Sequence, residues 1–229
     1  MKNKKILTIL LAILSSAAIA SCSSYNENIS EEAQFSSSKN GVENFYYLLY
    51  EKDKDLTPLL QEENCYNVTT ENLKKTGVSI FKFKDECVTY LKYGDDIYHF
   101  AGGFGGYGFV NAVTCDFDHN GKVDILYTYS YGSGIHRSIV SVFNLTTFEV
   151  TDLFSTFGDD AFDKDTYMSD LVLEKTILNN KPIYESYISE LHFGDSSLVD
   201  SAREIKLAKT IDFSDYASNC SYSTKIGEA

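Results

Sequence analysis

Between Val78 and Phe213 the chain is a succession of short segments rich in Tyr, Phe, Val, Ile and Thr, separated by Gly, Asn and Asp. Segments of that length and composition read as strands, and the separators read as turns. Val78, Ile80, Phe81 and Phe83 lead to Cys87–Tyr93, and Gly94-Asp95-Asp96 turns that run back into Ile97–Phe100, a hairpin pattern. Further strands are predicted at Phe109–Cys115, Asp124–Ser130, Ile135–Phe143, Phe148–Phe154, Leu171–Leu178, Pro182–Leu191 and Glu204–Phe213. Turns are predicted at Tyr131–Gly134, Asn144–Thr147 and Asn179-Asn180-Lys181. No helix intervenes, so neighbouring strands pair antiparallel. The expected fold is mainly β: an antiparallel sheet or sandwich of consecutive hairpins with a short N-terminal helical region. In that region Val42, Phe45, Tyr46, Leu48 and Leu49 recur at helical spacing within Gly41–Glu51, and Leu56, Leu59 and Leu60 follow around Pro58.

The chain of 229 residues is 43% hydrophobic, enough for a packed core and too apolar for a disordered polymer. Its length fits one domain of ordinary size or two small ones and excludes a multi-bladed propeller. With 33 acidic against 20 basic side chains the formal charge is -13, which argues against a nucleic-acid partner, because phosphate backbones are bound by surplus Lys and Arg.

Met1-Lys-Asn-Lys-Lys5 is a basic leader to the apolar run Ile6–Ile19, the order of a signal peptide. The following Ile19-Ala20-Ser21-Cys22 resembles a bacterial lipobox. The resemblance implies cleavage after Ser21, lipidation of Cys22, and an extracytoplasmic protein anchored to the cell membrane. Removing residues 1–21 takes away three lysines and no acids, moving the charge from -13 to -16. Such a surface is repelled by anionic headgroups, so the lipid does the anchoring. The expected organisation is a signal peptide over 1–21, a Ser- and Asn-rich flexible tether over 22–40 and one mainly-β domain over 41–229. An exported location permits disulfides, and Cys65, Cys87, Cys115 and Cys220 allow three connectivities, with buried free thiols as the alternative. They lack zinc-ligand spacing.

One constellation carries chemistry. Asp116-Phe-Asp118-His-Asn120-Gly121-Lys122-Val-Asp124 places oxygen side chains at loop positions one, three, five and nine. Glycine stands at six, to take positive φ, and position seven offers the Lys122 carbonyl. A hard cation with six to eight oxygen ligands, Ca²⁺ first, suits that spacing. Tyr127 stands where an EF-hand has its bidentate acid, and a strand pattern follows instead of a helix. The stretch 109–134 resembles a single FG-GAP/VCBS-type repeat, in which one strand leads into the acidic loop and another leaves it. The resemblance implies Asp116, Asp118, Asn120 and Asp124 as side-chain ligands, Lys122 as a carbonyl ligand, and His119 pointing outward. Those repeats are usually copied around a propeller; this chain has one.

Other motifs have simpler readings. Gly103-Phe-Gly105-Gly-Tyr-Gly108 matches G-x-G-x-x-G, but Phe109–Val113 is a strand pattern where a dinucleotide site needs a helix. Ser133, His136 and Arg137 lack a nucleophile elbow and read as turn chemistry. Phe157–Asp165 reads as a solvated acidic loop, and His99 and His192 as structural histidines. The 17 tyrosines fit a carbohydrate-binding face and alternating strands equally well. Two function classes stay open: a non-catalytic surface module for an extracellular protein or glycan, and an extracytoplasmic hydrolase of glycan or peptide using Asp and Glu as acid and base. The absence of a nameable acid pair or triad favours the first.

Overall fold

The computed structural model describes residues 31–55, 60–84, 88–101, 106–132, 137–157, 170–193 and 199–227, with backbone only for 31–40, 193 and 199–201. Two compact units divide the chain, residues 1–39 and 40–229, and every described strand lies in the second. Among the described residues, twelve strands in three antiparallel sheets give the mainly-β fold expected from the sequence.

The first sheet is a meander of β1 (Cys65–Asn67), β2 (Val78–Phe83), β3 (Thr89–Tyr93) and β4 (Asp96–Ala101). The second contains β5 (Gly108–Cys115), β6 (Asp124–Tyr131), β7 (Arg137–Phe143), β8 (Glu149–Ser155) and β12 (Ser221–Ser223), in the order β12-β8-β7-β6-β5. The third is β9 (Asp170–Leu178), β10 (Lys181–Phe193) and β11 (Val199–Ile211). Tyr93 pairs with Asp96 across Gly94-Asp95, the predicted hairpin. Leu178 pairs with Lys181 across Asn179 and Asn180, whose φ values of 52° and 61° are those of a tight two-residue hairpin turn. Asparagine takes that conformation because its short side chain tolerates it.

The five-stranded sheet is covered on both faces. Ile125, Tyr127, Phe143 and Val150 join Leu91, Tyr98 and Phe100 of the first sheet in one core cluster. Leu126, Val140, Val142 and Phe154 join Leu171, Leu173 and Tyr184 of the third sheet in another. Successive residues of β6 therefore serve opposite cores, as the two-residue period of a strand requires. The first core is aromatic: Phe100 stacks on Tyr127 with ring centroids 3.9 Å apart. On its far face the first sheet packs against the part of helix α1 (Glu31–Lys52) that lies in the same unit, where Phe45 stacks on Phe81 at 3.9 Å and Leu49 is also buried. The order of layers is helix, four strands, five strands, three strands.

Several boundaries differ from expectation for local reasons. Helix α1 starts ten residues before Gly41, so 31–40 of the expected tether is helical. Glu31-Glu32-Ala33-Gln34 are good helix formers. Strand β11 begins at Val199 rather than Glu204. Phe213 lies in a 3₁₀ turn, Phe213–Tyr216, which Asp212 caps by accepting the Ser214 N–H. β1, β12 and the short helix α2 (Glu71–Lys74) are too short and polar to show a period. Leu56, Leu59, Cys87, Gly103 and Gly105, the Ser133–His136 part of the turn cluster and most of the second acidic loop lie outside the described residues. Gly108 opens a strand, in keeping with a glycine-rich connection. At Gly106, with φ of 74°, an added Cβ would stand 2.5 Å from Tyr131 Cα, so the backbones approach too closely for a side chain.

Cys65, Cys115 and Cys220 are free thiols. Burial, then the charge of Glu62, pushes the Cys65 thiol up to about 12. Burial and the neighbouring Asp124 raise Cys115 well above its ordinary value.

The third sheet is held to the second by side chains that complete the free edge of β9. The Asn111 amide donates to Leu173 O at 2.8 Å and accepts the Leu173 N–H at 3.0 Å, as a neighbouring strand would. Ser138 Oγ accepts the Leu171 N–H at 3.1 Å, and Lys175 Nζ donates to Thr114 O at 2.8 Å. Beyond β12, the chain crosses to the first sheet, where Thr224 O accepts the His99 N–H and Ile226 N–H donates to Ile97 O. Asn111→Leu leaves two backbone groups of Leu173 without partners, at about 1–3 kcal/mol each. Urea denaturation is expected to show a loss of about 2–6 kcal/mol; a loss below about 0.5 kcal/mol, the range of ordinary surface substitutions, would show that water replaces the amide freely.

Candidate metal centre

β5 and β6 pair up to Cys115 and Asp124, and residues 116–123 between them form the loop of the acidic motif. The chain reverses through two left-handed residues, His119 with φ of 56° and Gly121 with φ of 78°. Positive φ at Gly121 is what its place in the motif requires.

Short-range hydrogen bonds shape this loop around its own carboxylates. Asp116 Oδ2 accepts the Gly121 N–H at 3.1 Å, Asp118 Oδ1 accepts the Asn120 N–H at 3.2 Å, and Asn120 Oδ1 accepts the Lys122 N–H at 2.7 Å. Asn120 Nδ2 donates to Asp118 Oδ2 at 2.8 Å. Asp124 closes the loop, one oxygen accepting the Phe117 N–H at 3.0 Å and the other the Leu145 N–H at 3.1 Å.

Asp116, Asp118 and Asp124 each bring one oxygen within 4.8 Å of the others. Asp124 is wholly buried, Asp116 partly so and Asp118 exposed. Burial raises the Asp124 carboxyl above its ordinary value, its two N–H partners pull it down, and the charges of Asp118 and Asp116 push it up. Burial prevails, so the charged form is less favoured here than in water. Asp116 Oδ1 is buried and has no hydrogen-bond partner. An orphaned carboxylate oxygen beside two further carboxylates fits a hard divalent cation, whose ligands are oxygens.

Of the five predicted ligands, the three aspartates converge. Asn120 lies on the loop with its amide spent on Asp118 and Lys122, and Lys122 is exposed there with its N–H turned to Asn120. His119 is exposed, and its charge helps lower the Asp212 carboxyl, after the Ser214 hydroxyl and N–H. The sequence reading missed the second wall of the site. Asn144, in the turn between β7 and β8, donates from Nδ2 to Asp118 Oδ2 at 3.1 Å, and Leu145 beside it serves Asp124. Asn144-Leu-Thr-Thr147 was readable as a turn, and Asn144 Oδ1 does accept the Thr146 and Thr147 N–H groups. Nothing local in that motif marks it as the partner of a loop more than twenty residues away.

No protein family, curated protein or solved structure matches this chain.

Asn144→Ala removes both the turn and the link to Asp118. Its expected cost is about 1–2 kcal/mol, read from the urea midpoint. Leu145→Ala keeps the backbone N–H and should leave the loop's chemical shifts in place, whereas Asn144→Ala should move those of Asp118 and Asn120.

Proposed function

We propose that this chain is a bacterial lipoprotein held at the extracytoplasmic membrane surface by Cys22, carrying a calcium-stabilised β domain that acts as a non-catalytic binding module. The observation that carries the calcium reading is the convergence of Asp116, Asp118 and Asp124 with the buried, partnerless Asp116 Oδ1. The aspartates and, by the FG-GAP/VCBS-like pattern, Asn120 and the Lys122 carbonyl hold the ion; water completes its shell. Bound there, Ca²⁺ relieves repulsion among the three charges and fixes β5 and β6 in register.

The non-catalytic reading draws on two buried thiols and on the carboxylates of the acidic loop. The Cys65 and Cys115 thiols are held protonated, which removes their nucleophilicity. The loop aspartates accept N–H groups of their own hairpin. The lipobox-like Ile19–Cys22 supports the anchor.

Extracellular calcium modules bind at about 10⁻⁴–10⁻³ M. With Ca²⁺ at about 100 times the dissociation constant, linkage adds roughly 2.7 kcal/mol of stability. Melting is expected to rise with Ca²⁺, to fall with chelator and to lose that dependence in Asp118→Ala, with Mg²⁺ doing less because it prefers a tighter octahedron. No heat at millimolar Ca²⁺ and no chelator effect on melting would reduce the loop to a turn.

The anchor is tested by Cys22→Ala in cells grown with labelled palmitate. The variant is expected to carry no label and to leave the membrane fraction. Label persisting on the variant would refute lipidation at Cys22.

A further inference from the structure

The third sheet ends the stack, and its two faces differ in charge. Leu171, Leu173 and Tyr184 face the second core. By the two-residue period, Glu174 of β9 and Glu185 and Tyr187 of β10 face outward. The register sets Glu174 directly opposite Glu185 and Leu207 of β11 opposite Tyr187. At the next outward position of β10, Ser189, the β11 partner is Glu204. This face is open to solvent: Leu207 is 46% exposed on it, and Leu178, near the hairpin turn, 58%.

The acids gather around one phenol. Tyr187 donates its hydroxyl to Glu185 Oε2 at 3.1 Å. That bond first, then desolvation and the charges of Glu185, Glu174 and Glu204, raises the Tyr187 phenol above its ordinary value. Like charges directly opposite on neighbouring strands destabilise a sheet. Among the described residues no ion pair involves any of the three glutamates. Two lysines of the same sheet turn inward instead: Lys175 donates to Thr114 O, and Lys209 lies 4.7 Å from the Phe154 ring centroid.

This combination sorts the occupants. A second copy of the chain, an anionic lipid surface or a nucleic acid would bring more negative charge against the glutamates. A small polyamine would leave Tyr187 and Leu207 wet. Strand addition along the β11 edge is blunted by three register shifts in its pairing with β10. We propose that the outer face of the third sheet docks a cationic amphipathic helix of a partner protein. Its apolar stripe lies on Tyr187 and Leu207, and its lysines or arginines meet Glu174, Glu185 and Glu204. The inference rests on reading the domain as a binding module and names the chemistry of its partner.

Interferometry on the full chain in phosphatidylcholine nanodiscs, read against empty nanodiscs, tests it. The probe is a synthetic helix with leucines along one stripe and lysines on both flanks. A peptide of the same composition with the stripe scrambled is the control. The helix is expected to bind saturably, more weakly as salt rises, and at least about tenfold more tightly than the scrambled peptide. Glu174→Gln with Glu185→Gln should weaken it about tenfold, roughly threefold for each exposed ion pair lost. Leu207→Ser should weaken it about tenfold by removing apolar contact. Glu43→Gln with Glu51→Gln, exposed on α1, removes the same charge elsewhere and should change binding less than about twofold. The paired glutamate variant relieves a repulsion, so it should melt no earlier than the parent, and its weaker binding is then not a folding defect. Equal binding by the scrambled peptide, no helix binding, or an equal loss in the α1 variant overturns the inference. Tight binding that the sheet variants leave unchanged overturns this face while the binding-module reading stands. Calcium heat without helix binding sinks this face alone, and helix binding without calcium heat sinks the ion site alone.

Discussion

The five-stranded sheet has no solvent face over much of its area, and the rest of the molecule is arranged around that fact. Its strand β6, between β7 and the edge strand β5, buries Ile125 and Tyr127 in one core and Leu126 in the other. A strand so placed must be apolar at successive positions, and β6 is buried from Asp124 to Thr128 without a break. Two-sided burial also forces polar side chains into the interior, and they are used. Asn111 and Ser138 project from the middle sheet and complete the edge of β9. An uncovered β9 edge would leave backbone groups unpaired against a dry core, so these side chains dock the third sheet and close its edge together.

The candidate metal centre follows from the same layering. β5 and β6 pair along their whole shared length, so the loop joining them starts from fixed ends, Cys115 and Asp124, both buried. Asp124 cannot turn to solvent and is left to the loop and to Leu145. The adjacent β7–β8 turn presents Asn144 to Asp118, and the end of β11 brings Asp212 near His119. Three connections distant in sequence thus converge where the ion loop meets the third sheet.

Much of this was legible locally. The strand series, the Gly94-Asp95 and Asn179-Asn180 turns and the acidic loop all depend on residues within a few positions of one another. The amphipathic stretch at Gly41–Glu51 was legible too, since Phe45 and Leu49 sit one helical turn apart. Less legible were elements whose only support is tertiary. β12 is three exposed residues, and it is a strand because β8 offers an edge. Thr224–Ile226 lies along β4 for the same reason.

The amino-acid sequence by itself determined the antiparallel β class, the hairpin turns, and an oxygen-rich loop reversed at Gly121, because strand period, turn conformation and loop spacing are properties of neighbouring residues. Only the tertiary structure decided the division into three sheets, the burial of both faces of β6, the docking of Leu173 on Asn111 and the meeting of Asp118 with Asn144. Those depend on which apolar face finds which partner. Many pairings bury comparable area, and the choice is made where buried backbone groups also find donors and acceptors.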